Sequence, residues 1–288
     1  MRSKLFVPGA RPELFAKALA GEADALSFDL EESVPADGKL AARRAVAEFL
    51  GGAGASATAK RLIVRCNASD TPEFAADITA LAAVPLHLIN LPKVGSRDQA
   101  LAAIEQIQAA EAAAGTPVPP GLLLTIESPA GLRNAAAIAS AHPRVVGLQL
   151  GLGDLFEPLG IDRRDAANLH AVLFALRMAA GEADVYALDG AYPGIDDAAG
   201  FEAEAAMSRA LGYRGKSCIH PRQVALANRI FTPTEAELDG ARRLVAAAAG
   251  AQAAGHGAFR VDGRMVDGPF LRRARDLLAS VQSQESRG

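Results

Sequence analysis

Six polar clusters, each following a short apolar run, carry most of the residues in this chain that could do chemistry. FDLEESV supplies Asp29, Glu31 and Glu32; VRCN supplies Arg65 and Asn67; LPKV supplies Lys93. TIES brings Glu127 and Ser128, GLGDL brings Asp154, and GKSCIHP brings Lys216 and His220. Glu127 and Asp154 are the sharpest pair. If they end neighbouring parallel strands, their carboxylates approach across one strand spacing of about 4.8 Å. Two hard oxygen ligands beside open positions suit Mg²⁺, which keeps several waters, and Mn²⁺ is an acceptable substitute. No His or Cys accompanies them, which argues against zinc. Without a metal, the same pair could serve as general acid and base.

Arg65 offers a planar fork that a lysine cannot match, suited to a substrate carboxylate or to the acids of FDLEESV. Glu31 and Lys93 join Arg65, Glu127 and Asp154 as candidate substrate-binding residues, with Lys93 and Lys216 also able to balance charge. His220 and the lone Cys66 read as structural. A divalent cation, an arginine for a carboxylate and no lysine poised for a Schiff base together suggest enolate chemistry. The cation would chelate a 2-oxo or 2-hydroxy acid and take up the charge that develops when a bond next to the carbonyl breaks.

Such residues need a frame that brings strand ends to one mouth. Eight short apolar runs alternate with longer Ala-rich helical patterns: Lys4–Val7, Ala25–Asp29, Arg61–Arg65, His87–Leu91, Leu122–Glu127, Val145–Leu150, Asp184–Leu188 and Gly215–Ile219. Continuous rather than alternating apolarity is the mark of parallel strands covered on both faces. Helix starts are expected at Thr71, Ser96 and Asp196 or Asp197, with stops at Gly115 and Gly212. The segment 51–60 reads as a flexible loop. This alternation predicts an α/β protein, a (β/α)8 TIM barrel over 1–231, with the polar clusters at the C-terminal ends of its strands. A doubly wound sheet would usually show a Gly-rich fingerprint after its first strand, and PGARPE is not one.

Beyond the barrel, residues 232–288 read as a helical extension. Thr232 or Thr234 starts a helix ending near Gly250 or Gly255; an acidic Gly-rich turn and a last helix at Pro269–Ser280 follow, then a frayed SQESRG. A net charge of −3 gives no reason to expect nucleic acid or an anionic membrane as partner. Two cysteines without metal-ligand spacing, and no apolar run of membrane-spanning length, point to a soluble cytoplasmic protein.

The ordered stretches RSKLFVPG (2–9), FDLEESV (28–34) with Lys39 and Arg43, VRCN (64–67), LPKV (91–94), IESPAGL (126–132), GLGDL (151–155), GYRGKSCIHPRQV (212–224) and GRMVDGP (263–269) resemble one family. It is the citrate lyase β-subunit-like proteins, relatives of malyl-CoA and citramalyl-CoA lyases. The resemblance implies a TIM barrel in which Glu127 and Asp154 bind Mg²⁺ and Arg65 holds the substrate carboxylate. It also implies a homotrimer or hexamer, with a C-terminal segment that covers a neighbouring subunit's barrel mouth. By motif position, Asp267 in that segment is the acid/base at the acyl carbon. An enclosed carboxylate of this kind would be made more basic by desolvation. The family usually reads DLEDSV, and here position 32 is Glu, longer by one methylene. The resemblance also supports coenzyme A contacts near VPGARPELFAK, where Arg11 and Lys17 flank a helix start that could receive phosphates.

The function implied is cleavage or formation of a 3-hydroxyacyl-CoA such as malyl-CoA or citramalyl-CoA. Alternatives are a citrate lyase β subunit acting on a carrier-bound thioester, a CoA-independent pyruvate aldolase and a catalytically silent scaffold.

Overall fold

A computed structural model describes residues 1–253 and 258–285. Eight parallel strands form one sheet: β1 (Ser3–Pro8), β2 (Ala25–Asp29), β3 (Arg61–Arg65), β4 (Leu88–Leu91), β5 (Gly121–Ile126), β6 (Val145–Leu150), β7 (Tyr186–Leu188) and β8 (Lys216–Cys218). Their order, β7-β6-β5-β4-β3-β2-β1-β8, follows the chain and pairs β1 with β8. The last gap is bridged where Asp189 N donates to Gly215 O at 2.9 Å and Ser217 N to Asp189 O at 3.0 Å. The sheet thus curls into the expected TIM barrel. The bounds of β2, β3 and β6 are those expected, and the other strands differ by one or two residues.

Outward residues such as Leu26, Phe28, Leu62, Val64 and Leu148 are buried under the surrounding helices. The interior is more polar than a typical barrel core. Lys4 Nζ donates across the lumen from β1 to Asn90 Oδ1 of β4 at 3.2 Å, and Asn90 Nδ2 donates to Thr125 Oγ1 at 2.8 Å. Above Lys4 lies the Phe6 ring, 3.9 Å from its ammonium, with the Arg65 guanidinium 4.8 Å from the same ring. Burial pushes the Lys4 pKa well down.

Helix starts are partly as expected. Ser96 accepts from Gln99 N, and helix Arg97–Ala114 ends on left-handed Gly115. Asp197 likewise caps helix Ala198–Ala210 through Gly200 N. Thr71 does not cap: its hydroxyl donates back to Ala68 O at 2.7 Å, and helix Glu73–Ala82 begins after Pro72. The 51–60 segment is not simply a loop, since Ala53–Ser56 forms a helical turn whose Ala55 is buried.

The chain divides into two compact units, Met1–Phe231 and Thr232–Gly288. In the second, Thr234 and Glu237 form a capping box, Thr234 N donating to Glu237 Oε2 at 2.7 Å and Glu237 N to Thr234 Oγ1 at 3.2 Å. Helix Glu235–Ala253 runs through Gly250, while Gly255 lies outside the described residues. A hairpin the sequence reading took for a turn then follows, β9 (Phe259–Val261) paired antiparallel with β10 (Arg264–Val266). Positive φ at Asp262 (48°) and Gly263 (79°) gives its Asp-Gly tip the twist that two-residue hairpins require. The last helix, Gly268–Glu285, is longer than expected and takes in part of SQESRG. Among the described residues no helix is long and apolar enough to cross a membrane.

Candidate active site

Strand register puts the first polar clusters side by side. Asp29 pairs with Arg65, and Arg65 with Asn90, along the ends of β2, β3 and β4. Ile126 is level with Leu150, so Glu127 and Gly151 leave the sheet together. Gly151 has to be small: a Cβ there would lie 2.5 Å from the Cβ of Glu127. The GLGDL turn therefore wraps directly around the Glu127 side chain and carries Asp154 in the first turn of helix Leu152–Phe156.

Arg65 is held by the acids of FDLEESV. Its Nε and NH2 donate to Asp29 Oδ1 at 2.7 Å and Oδ2 at 2.8 Å, a bidentate fork. Its NH1 lies 2.9 Å from Glu31 and 3.5 Å from Glu32. Lys93 Nζ lies 3.0 Å from Glu31, 3.3 Å from Glu32 and 3.8 Å from Asp154. The added methylene of Glu32 thus lets its carboxylate reach both Arg65 and Lys93. Neither Glu31 oxygen is aligned for a hydrogen bond, so this buried carboxylate keeps acceptor capacity beside its two cations.

Burial, then the charge of Glu31, pushes the Glu127 pKa up to about 8, against the opposing hydrogen bond from Lys93 N at 2.6 Å. Partial burial and the charge of Glu32 raise Asp154, and burial raises Glu31. Asp29 moves the other way: burial is outweighed by the Arg65 fork, and its carboxyl is held below the usual range. The group assembled at this mouth is therefore five carboxylates, Asp29, Glu31, Glu32, Glu127 and Asp154, against two cations. Such an excess of acid, with carboxyl groups that resist ionisation, is what a divalent cation would relieve. Among the described residues no three His, Cys, Asp or Glu side chains form a complete metal cage. Two carboxylates with water and substrate oxygens filling the remaining positions is the arrangement Mg²⁺ prefers, so Glu127 and Asp154 fit it.

A supporting network lies behind these residues; the sequence marks Lys39, Arg43 and Asn67 by motif but not their contacts. Lys39 Nζ donates to Leu30 O at 2.8 Å, Glu31 O at 2.6 Å and Asn67 Oδ1 at 2.6 Å. Asn67 in turn donates from N and Nδ2 to Asp77 Oδ2 at 2.8 and 2.6 Å, while Arg43 Nε donates to Asp77 Oδ1 at 2.7 Å. One lysine thereby ties the loop bearing Glu31 to the residues just after Arg65. Asp77, inside an amphipathic helix, gave no local signal of this role.

Other expected mouth residues lie elsewhere. Lys216 is wholly buried and donates to Asp189 Oδ2 at 2.7 Å and Glu204 Oε1 at 2.5 Å. Its charge is spent fastening β8 to β7 and to helix Ala198–Ala210. His220 Nδ1 accepts from Arg222 N at 3.2 Å, and Cys66 is buried. Arg11 is exposed and paired with Glu13, and Lys17 is exposed on helix Phe15–Ala20. Asp267 lies exposed in the second unit, between β10 and the last helix, with exposed Met265 and Phe270 on either side.

Known proteins match this arrangement over nearly its whole length. The Escherichia coli citrate lyase subunit beta is 38% identical over 98% of this chain and 93% of its own. A Cereibacter sphaeroides L-malyl-CoA/beta-methylmalyl-CoA lyase is 34% identical over 98% and 94%. Among solved structures, protein CitE from Mycobacterium tuberculosis in complex with magnesium, acetoacetate and coenzyme A superposes with a TM-score of 0.75 at 32% identity, covering 97% of this chain and 98% of that one. A family model described as HpcH/HpaI aldolase/citrate lyase matches residues 2–221, and the chain belongs to that family of lyases.

Proposed function

We propose that this protein is a Mg²⁺-dependent carbon–carbon lyase that cleaves a 3-hydroxyacyl-CoA, such as malyl-CoA or citramalyl-CoA, into a 2-oxo acid and a shorter acyl-CoA. The observation that carries the reading is the buried Glu127 carboxylate, raised to about 8 and wrapped by the turn that bears Asp154. Held by Glu127 and Asp154, Mg²⁺ would supply Lewis-acid polarisation of the oxo-acid oxygens. Arg65, kept cationic by its acid partners, would orient the substrate carboxylate and add positive charge near the developing oxyanion. The magnesium and acetoacetate of the Mycobacterium tuberculosis structure favour the same assignment.

Proton transfer at the acyl carbon falls to Asp267 of a neighbouring subunit. Its hairpin turn and exposed apolar neighbours support a lid whose closure excludes water. In the condensing direction Asp267 would remove a proton from the acyl-CoA carbon and the new hydroxyl would take one from solvent; in cleavage the hydroxyl proton would pass to solvent as the carbonyl forms, and Asp267 would return one to the acyl carbon. The coenzyme A of that Mycobacterium tuberculosis structure and the malyl-CoA lyase relative favour a CoA thioester, with Arg11 and Lys17 as candidates for its phosphates. The Escherichia coli relative keeps a citryl thioester in contention.

The test is to incubate purified protein and Mg²⁺ with malyl-, citramalyl- and citryl-CoA and follow oxo-acid release. Turnover of the first or second thioester is expected. Turnover of none, with activity on a free aldehyde plus pyruvate, would make it a CoA-independent aldolase.

A further inference from the structure

Lys93 stands out at the mouth for both its backbone and its side chain. Its φ of 56° is left-handed, a conformation that is costly for a residue with a Cβ and that gathers at functional sites. That turn of the chain aims its N–H at Glu127 Oε1, 2.6 Å away. The same residue's ammonium stands among Glu31, Glu32 and Asp154, at 3.0, 3.3 and 3.8 Å. One residue therefore grips Glu127 through its backbone and Asp154 through its side chain. Gln99 Nε2 donates to the Lys93 carbonyl at 3.3 Å and helps hold the turn.

This ammonium sits between the Glu31–Glu32 loop and the Asp154 turn. It faces any divalent cation that draws on the same carboxylates. Resting on the site reading above, we propose that Lys93 is a positioning residue that sets the divalent-cation affinity of this site. Its backbone N–H orients Glu127, and its ammonium competes with the cation for Asp154 and its acidic neighbours. With Lys93 and Arg65 present, the five carboxylates of the mouth are partly neutralised. With all five ionised, a bound dication then leaves about one net negative charge to oppose an anionic oxo acid, where about two would remain without Lys93. Without the Lys93 charge, the acids would hold the dication more tightly.

The test measures Mn²⁺ binding without substrate, by calorimetry or by loss of the free-ion paramagnetic resonance signal, at one pH. Lys93→Met and Lys93→Gln keep an ordinary Cβ in the left-handed position and remove only the charge, while Lys93→Arg keeps it. Because the ammonium is partly exposed, its repulsion of a dication a few ångströms away is worth about tenfold in affinity. Both neutral variants are expected to bind Mn²⁺ about tenfold more tightly than the unaltered protein, and the arginine variant equally to it. Unchanged or weaker Mn²⁺ binding by folded neutral variants, with pyruvate affinity lost instead, would make Lys93 a substrate ligand and overturn the proposal. If the unaltered protein binds no Mn²⁺, the metal-site reading itself fails, and this inference with it.

Discussion

At the residue scale the site turns on Glu127, a carboxyl group kept from ionising by burial and by the nearby charge of Glu31. Its folded-state pKa, about 8, lies above the ordinary value of 4.5, so the folded protein holds a proton that the unfolded chain has already released. Stability of the metal-free protein should therefore fall as pH rises from about 4.5 to 8 through this group. Cation binding must displace that proton. Mn²⁺ affinity should thus climb with pH by nearly tenfold per unit and level off above about 8. Binding isotherms across that range check both the slope and the plateau, and a flat profile would mean that Glu127 is already ionised. Arg65 shows how ambiguous a single residue can be. The sequence suggested a substrate carboxylate or the acids of FDLEESV as its partner; the second is seen directly, with two donors fixed on Asp29 and NH1 beside Glu31.

At the scale of elements, the turn GLGDL and the loop FDLEESV do the positioning. Adding one methyl group in Gly151→Ala should push Glu127 out of place, since no side chain fits between that backbone and the carboxylate. We expect it to weaken Mn²⁺ binding by more than about 100-fold while costing no more than about 3 kcal/mol of stability, the usual range for overpacking. Titration of the folded variant decides between displacement and tolerance. Lys39→Met should act on the other side of the mouth. It takes the donor from the Leu30 carbonyl and the Asn67 amide oxygen, while Glu31 O keeps its bond from Val34 N, at about 1–3 kcal/mol in thermal unfolding, and it loosens the loop that presents Glu31. Much of this framework was legible because strand runs and caps are local: Ser96, Gly115 and Asp197 do what their residue types predict. Thr71 misled because its hydroxyl found a carbonyl three residues back, which competes with capping. Lys216 misled because it opens β8 rather than ending it, and its side chain turns to Asp189 and Glu204. The Lys39–Asn67–Asp77–Arg43 network joins residues far apart in the chain, and periodicity carries no information about such contacts.

At the scale of the whole molecule, the proposal divides the work between a barrel that binds and a second unit that delivers Asp267. If Asp267 serves a neighbouring barrel, Asp267→Asn should lower thioester turnover by about 10²–10⁴-fold and leave Mg²⁺ and pyruvate binding intact. Mixing that variant with Arg65→Ala under conditions that exchange subunits should then restore activity, to about a quarter of normal if assembly is random and each site needs one intact half from each chain. No recovery in mixed assemblies, with each variant folded, would place Asp267 over its own barrel or outside the reaction. Beneath these claims lies a simpler one, that Glu127 and Asp154 together hold the ion on which an oxo acid is activated. The most direct measurement is a crystal structure of this protein soaked with Mg²⁺ and pyruvate. The account predicts one ion bonded to a carboxylate oxygen of each residue, chelated by the oxo acid, with the substrate carboxylate toward Arg65. An ion held by other residues, or pyruvate bound with Glu127 and Asp154 turned apart and no ion between them, would contradict it.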